Sequence, residues 1–333
     1  MVQDKELSPP KEKRNRRNLL WLGKLAVTVL ILSYIYRTFT NEQKGISDVG
    51  NVFGSILTAD HFPIIAFMLF LVPANWALES LKWQKLAQKV AVLSFWDAFR
   101  GTLTGLAVGV AAPAQLGDTI GRVAALKSDR RLEAIGAAIV SNGIQFYISV
   151  AAGAVGWFHL QEKLALSPAA KQMLSILLIT ILLLGVLAVA FRRQLTDWHP
   201  KNSTIQKIHS YLRIIGAYTG EELSLSAFYG SLRYLVFLTQ FVLALSLFEF
   251  PIPALELASC VSLIFLAKTL IPAVNVLGDL GLREFTALLV FASYGLPAEK
   301  VIAATFMVWI VNVLGPILIG IFLIWKYKLK RNR

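Results

Sequence analysis

Two short stretches carry the residue types that could do chemistry. PAQLGDTIGR spans residues 113–122 and PAVNVLGDLGLRE spans residues 272–284. Each sets Leu-Gly-Asp four residues before an arginine, pairing Asp118 with Arg122 and Asp279 with Arg283. If the residues after Gly117 are helical, Asp118 and Arg122 lie one turn apart on one face. Asp is a good N-cap, and Pro113 and Gly117 suit the turn before it. A helix start offers unbonded N–H groups and positive dipole, which favour an anion such as phosphate. Arginine can grip phosphate with two parallel bonds. The second copy adds Glu284, a second carboxylate beside Arg283. The plainer reading of one copy is a cap with a local ion pair. Two copies in so apolar a chain favour a role in binding, because charge inside a membrane is expensive and tends to be functional.

The elements that must position these residues are membrane helices. The chain has 333 residues, 56% of them hydrophobic and 16% charged. Soluble domains carry about 25% charged residues. Stretches 19–37, 61–81, 132–158, 171–191, 225–249 and 300–325 are each apolar and long enough to span, given that a span needs about 20 residues. Regions 97–131 and 254–295 differ, because each holds two shorter apolar arms around one Asp-Arg element. Such arms are too short for a bilayer core of about 30 Å. The expected fold is therefore all-α and polytopic, with six spans and two re-entrant hairpins. Eight spans remain the alternative.

Charge placement orients the chain. The net charge of +13 sits in basic clusters at 11–17, 82–89, 127–131, 192–213 and 326–333. Only Arg37, Lys44, Lys163, Lys171 and Lys300 fall on the other side of the six-span topology. The positive-inside rule then places both termini in the cytoplasm and makes nucleic acid an unneeded partner. Residues 1–18 form a basic tail, 19–160 a first membrane half and 161–333 a second. With three spans in each, the halves have opposite orientation, as in inverted-repeat transporters with midplane sites.

Other features read as packing. Gly101, Gly105 and Gly109 recur every fourth residue and allow close helix approach. Asn142, Gln145 and Asn312 fall inside spans and suit bonds between helices. Glu79 and Lys82 read as an ordinary pair at a helix end. SLKW at 80–83 and SLRY at 231–234 match, yet both fall at cytoplasmic ends and read as chance. Residues 205–222 read as an interfacial amphipathic helix. The four histidines show no metal spacing, no nucleotide loop occurs, and neither metal nor cofactor is expected. The lone Cys260 excludes an internal disulfide.

PAVNVLGDLGLRE resembles the signature of the lysylphosphatidylglycerol synthase transmembrane, or flippase-like, family, roughly P…G-G-x-G-x-R-E. Pro272, Gly278, Gly281, Arg283 and Glu284 match it, and Asp279 stands where the second glycine is frequent. PAQLGDTIGR is similar to an earlier family element, P-x-R-x-G-[DE]-x-x-R. Pro113, Gly117 and Asp118 match, Gln115 replaces the frequent arginine, and Arg122 arrives one residue late. In fused members of that family, this membrane domain moves aminoacylated phospholipid between leaflets, and a separate soluble domain makes the lipid.

The resemblance implies translocation of an anionic or aminoacylated phospholipid, or of a lipid-linked intermediate, across a bacterial cytoplasmic membrane. Arg122 and Arg283 would attract headgroups from opposite sides, and Asp118, Asp279 and Glu284 would orient them. No soluble stretch here exceeds about 35 residues, short for a catalytic domain. A lipid-modifying enzyme would then be a separate partner. Two alternatives stay open: a membrane enzyme acting on polyprenyl-phosphate or glycolipid, and a small-solute transporter.

Overall fold

A computed structural model describes residues 46–111, 116–124, 126, 131–197, 201, 202, 206, 209, 214–248, 250–271 and 281–331. Among them every regular element is helical. The labelled helices are α1 (Ile46–Ile56), α2 (Phe62–Ala87), α3 (Phe95–Ala111), α4 (Leu116–Ala124), α5 (Arg131–Leu160), α6 (Pro168–Ala190), α7 (Gly220–Ser246), α8 (Ala254–Leu270), α9 (Leu282–Ala292), α10 (Ala298–Trp309) and α11 (Gly315–Arg331). A π segment, Ile310–Leu314, joins α10 to α11 without a break.

Five stretches are long and apolar enough to cross a membrane: Phe62–Ala87, Glu133–Leu160, Pro168–Ala190, Gly220–Ser246 and Ala298–Ile324. They coincide with five of the six expected spans. The sixth, 19–37, lies outside the described residues. The protein is thus an all-α, multi-pass membrane protein.

Local sequence accounts for the helix starts. Ser167 caps α6 by accepting from the Ala170 N–H, and Pro168 follows where a missing N–H costs nothing. Thr219 and Glu222 form a reciprocal capping box at the start of α7. That cap corrects the reading of 205–222 as one amphipathic helix. The described end of this stretch is a short helix, Ile214–Ala217, and a new helix begins at Gly220.

Helix α2 is the hub. It packs along α7 and also touches α3, α5 and the π segment. Gln240 donates to the Met68 carbonyl, Arg233 meets Glu79 and Lys89 meets Glu222, so α2 and α7 run antiparallel. Helix α8 packs on α5 where glycines permit it. A Cβ at Gly156 would lie 2.8 Å from the Ser259 carbonyl oxygen, and one at Gly153 would strike Leu266. Phe265 on α8 stacks on Phe237 of α7 at 4.8 Å between centroids. Helix α6 is the outlier: only 6% of its apolar window is buried, and Met173, Ile176, Leu183 and Leu184 face outward, as lipid contact demands.

Helices α3 and α4 form a tight antiparallel hairpin. Gly105 lies against Asp118 and Arg122, Gly109 against Asp118, and Gly121 against the Gly105 backbone. The expected small-residue packing is realised there. At about 1.5 Å per residue, the nine-residue α4 is about 13 Å long, under half the bilayer core. Helices α8 and α9 make the second pair, and the α9 arm is likewise short at 11 residues.

The apolar core is split. One cluster gathers Met68, Val150, Ala154, Trp157, Phe241 and Phe265. Another gathers Trp83, Leu86, Val90, Ala134, Ala137 and Val140. Between these clusters along the chain, α2 buries Asn75, Glu79, Ser80 and Lys82, and α5 buries Ser141.

Candidate functional site

Glu79 on α2 occupies that gap. It faces three cations: Lys82 Nζ lies 2.8 Å from Oε2, Arg122 Nη1 2.8 Å from Oε1 and Arg233 Nε 3.2 Å from Oε2. Arg122 also donates from Nε to Asp118 Oδ1 at 2.9 Å. Lys82 donates to Gln145 Oε1 on α5 at 3.1 Å. Two guanidinium groups lie over indoles, Arg122 over Trp83 at 5.8 Å and Arg233 over Trp76 at 5.4 Å. Such placement adds cation–π attraction to the ion pairs.

Each residue reaches this point for a local reason. Lys82 follows Glu79 by three residues on α2, one turn away on the same face. Arg122 is carried in by α4, which the glycines of α3 allow close. Arg233 is the midpoint residue of the Gly220–Ser246 span. Asn75 and Asn312 lie within one residue of the midpoints of Phe62–Ala87 and Ala298–Ile324. Gln145 is within two residues of the midpoint of Glu133–Leu160. Four packed membrane-length helices therefore present polar side chains at mid-depth.

The formal charge of the five ionised groups is +1, from three cations and two carboxylates. No further ion pair of these five forms among the described residues. Their accessibility differs. The side chain of Lys82 is 1% exposed and that of Arg122 is 6% exposed, whereas that of Arg233 is 21% exposed. Glu79 Oε2 and Arg233 Nε themselves make no hydrogen bond among the described residues, nor do the buried Asn75 Oδ1, the Trp76 and Trp83 indole nitrogens, or either head atom of Asn312. Asn312 sits in the π segment, a distortion that frequently marks functional places in helices.

Of the residues expected from the sequence, Asp118 and Arg122 meet here. The helix begins at Leu116, three residues earlier than a cap at Asp118 requires, so Gly117 and Asp118 stand in its first turn. The Asp118 carboxylate itself complements the helix dipole there. Arg283 and Glu284 are buried in the first turn of α9, whose main neighbours are α8 and α10. Glu284 Oε2 accepts from the Gly281 N–H at 2.7 Å, and Gly281 has φ +91°, a conformation glycine favours. Arg122 and Arg283 thus belong to different helix pairs. Pro113, Gln115, Pro272, Gly278 and Asp279 lie outside the described residues.

Sequence reasoning missed Glu79, Lys82 and Arg233. Lys82 does not lie in a cytoplasmic loop, because α2 runs on to Ala87 and buries it. SLKW and SLRY place Lys82 and Arg233 on antiparallel helices at one level, facing one carboxylate. Their shared pattern was the available signal. Asn312 also departs from expectation, since neither head atom bonds across helices.

A second polar group ties the ends of α5, α8 and α9. Glu256 Oε1 pairs with Lys163 at 2.6 Å, and its Oε2 accepts from the Tyr294 hydroxyl at 2.9 Å. Among the described residues, no three His, Cys, Asp or Glu side chains gather as a metal site would need.

A family model described as the lysylphosphatidylglycerol synthase TM region matches residues 21–320 of the 333. No curated protein matches this chain, and no solved structure does.

Proposed function

We propose, from the premise that the chain belongs to the lysylphosphatidylglycerol synthase transmembrane-region family, that it moves a phospholipid or lipid-linked headgroup between leaflets of a bacterial cytoplasmic membrane. The observation that carries this reading is the ionic cluster of Glu79, Lys82, Asp118, Arg122 and Arg233 within the helix bundle, at the depth of Arg233, the midpoint of its span. Ionised groups at that depth cost several kcal/mol each unless paired or used. Among the described residues the pairing is incomplete by one positive charge, which suits a passing phosphate.

In this reading the α3–α4 hairpin is re-entrant and holds Arg122 and Asp118 at the midplane. The α8–α9 hairpin brings Arg283 and Glu284 from the opposite side, in an inverted-repeat arrangement. Exchange of access between the two hairpins carries the headgroup while its acyl chains stay in lipid. The exposed apolar face of α6 supports a surface along which chains can slide. Both termini face the cytoplasm, and a separate enzyme supplies any modified lipid.

Purified protein reconstituted into vesicles with fluorescent anionic, zwitterionic and lysyl lipids tests this. Leaflet exchange is expected with wild type and is expected to fall at least tenfold in Arg122→Ala and Arg283→Ala. Absence of exchange for every lipid, from well-folded wild type, contradicts the proposal.

A further inference from the structure

Resting on that reading, we infer that this protein selects lipids with a net negative headgroup and rejects those with a net positive one, aminoacylated phospholipids included. Three features of the midplane cluster converge on this. The first is its charge. Glu79 and Asp118 neutralise two of the three cations Lys82, Arg122 and Arg233. Among the described residues, the polar side chains near the midpoints of the neighbouring spans, Asn75, Gln145 and Asn312, are uncharged and offset nothing. In a medium of low dielectric, one uncompensated charge acts strongly on an approaching ion of either sign.

The second feature is which cation is left over. Arg122 spends Nε on Asp118 and Nη1 on Glu79, and is sealed against Trp83. Lys82 spends its ammonium on Glu79 and Gln145 and is 1% exposed. Arg233 Nε lies 3.2 Å from Glu79 Oε2 without a hydrogen bond among the described residues, and its side chain is the most exposed of the three at 21%. Its contact to Trp76 holds the guanidinium plane in place. Arg233 is therefore the specificity-determining cation, and Arg122 and Lys82 position the carboxylate that anchors it.

The third feature is chemical fit. A guanidinium presents its N–H groups in a planar fork that matches two phosphate oxygens. A phosphodiester with no further charge brings −1 and neutralises the cluster. The same phosphodiester carrying an esterified lysine is net +1, because two ammonium groups outweigh one phosphate. Bringing it to the cluster would place two net positive charges together at mid-depth.

The decisive experiment compares fluorescent phosphatidylglycerol with its fluorescent lysyl ester in identical proteoliposomes. Wild type is expected to exchange the anionic lipid at least tenfold faster. Arg233→Gln, which makes the cluster neutral, is expected to narrow that ratio toward one, and Arg233→Lys is expected to keep it. A purely structural Arg233 would slow both lipids alike and leave the ratio unchanged in both variants. Equal or faster exchange of the lysyl ester by wild type overturns the inference while leaving translocation standing. No exchange of either lipid by folded wild type overturns the translocation reading and this inference with it.

Discussion

Glu79 is held among Lys82, Arg122 and Arg233, so it is the residue whose charge the interior depends on most. Glu79→Gln leaves three cations, two of them buried, facing one carboxylate. Breaking a buried ionic group in this way costs about 3–5 kcal/mol. Thermal unfolding in detergent should register that loss, and near-wild-type stability would mean the cluster is hydrated and slack. Lys163→Ala makes the contrast. Its side chain is 51% exposed, and exposed pairs contribute little to stability. Its partner Glu256 gives a pH signature. The Lys163 ammonium and the Tyr294 hydroxyl hold the Glu256 carboxyl below its ordinary value of 4.5. The contribution of that link is therefore complete above pH 4.5 and fades as pH falls through the depressed value. Melting curves of wild type and Glu256→Gln should differ at neutral pH and converge in acid. A difference that persists unchanged in acid would assign the variant's effect to something other than charge.

The α3–α4 hairpin explains how a charged pair is brought deep into the bundle. Its glycines let backbone meet backbone, and Arg122 rides in on the shorter arm. A Cβ on Gly121 would lie 2.5 Å from the Gly105 Cα, with no flexible side chain to yield. Gly121→Ala should therefore destabilise the protein by about 1–3 kcal/mol through overpacking. Gly50→Ala on α1 meets nothing within 4 Å and should be neutral or gain up to about 1 kcal/mol. Equal behaviour of the two variants would contradict the hairpin packing. The glycine spacing made this contact legible in the sequence, as the doubled Leu-Gly-Asp element made Asp118 and Arg122 legible. Glu79, Lys82 and Arg233 were not, for a physical reason. Glu79 and Lys82 are three residues apart, the commonest surface pair on a helix. Only the packing of α2 against α7, with Arg122 reaching in from α4, turns that pair into an interior cluster. Arg233 stands alone in its helix, with no local partner to announce it. The unpartnered Asn312 depends on the π segment, which residues 310–314 do not advertise in composition.

At the scale of the molecule, the five described spans agree with hydropathy because length and apolarity are nearly sufficient to define a membrane helix. Sidedness rests on charge placement instead and can be measured. Single cysteines in place of Lys163, Lys201 and Gln88, in a Cys260→Ser background, should react with an impermeant thiol reagent in intact cells only at 163. Reaction at 201 or 88 would reverse or break the topology. The larger claim is that a lipid headgroup visits the ionic cluster between the two cores. A phospholipid with a photoreactive group on its headgroup, irradiated in proteoliposomes and mapped by mass spectrometry, tests it directly. Crosslinks are expected in the middle of α2 and α7, around Asn75–Glu79 and Arg233, and are expected to decline in Arg233→Gln. Headgroup crosslinks confined to helix ends, with none near these residues, would contradict it.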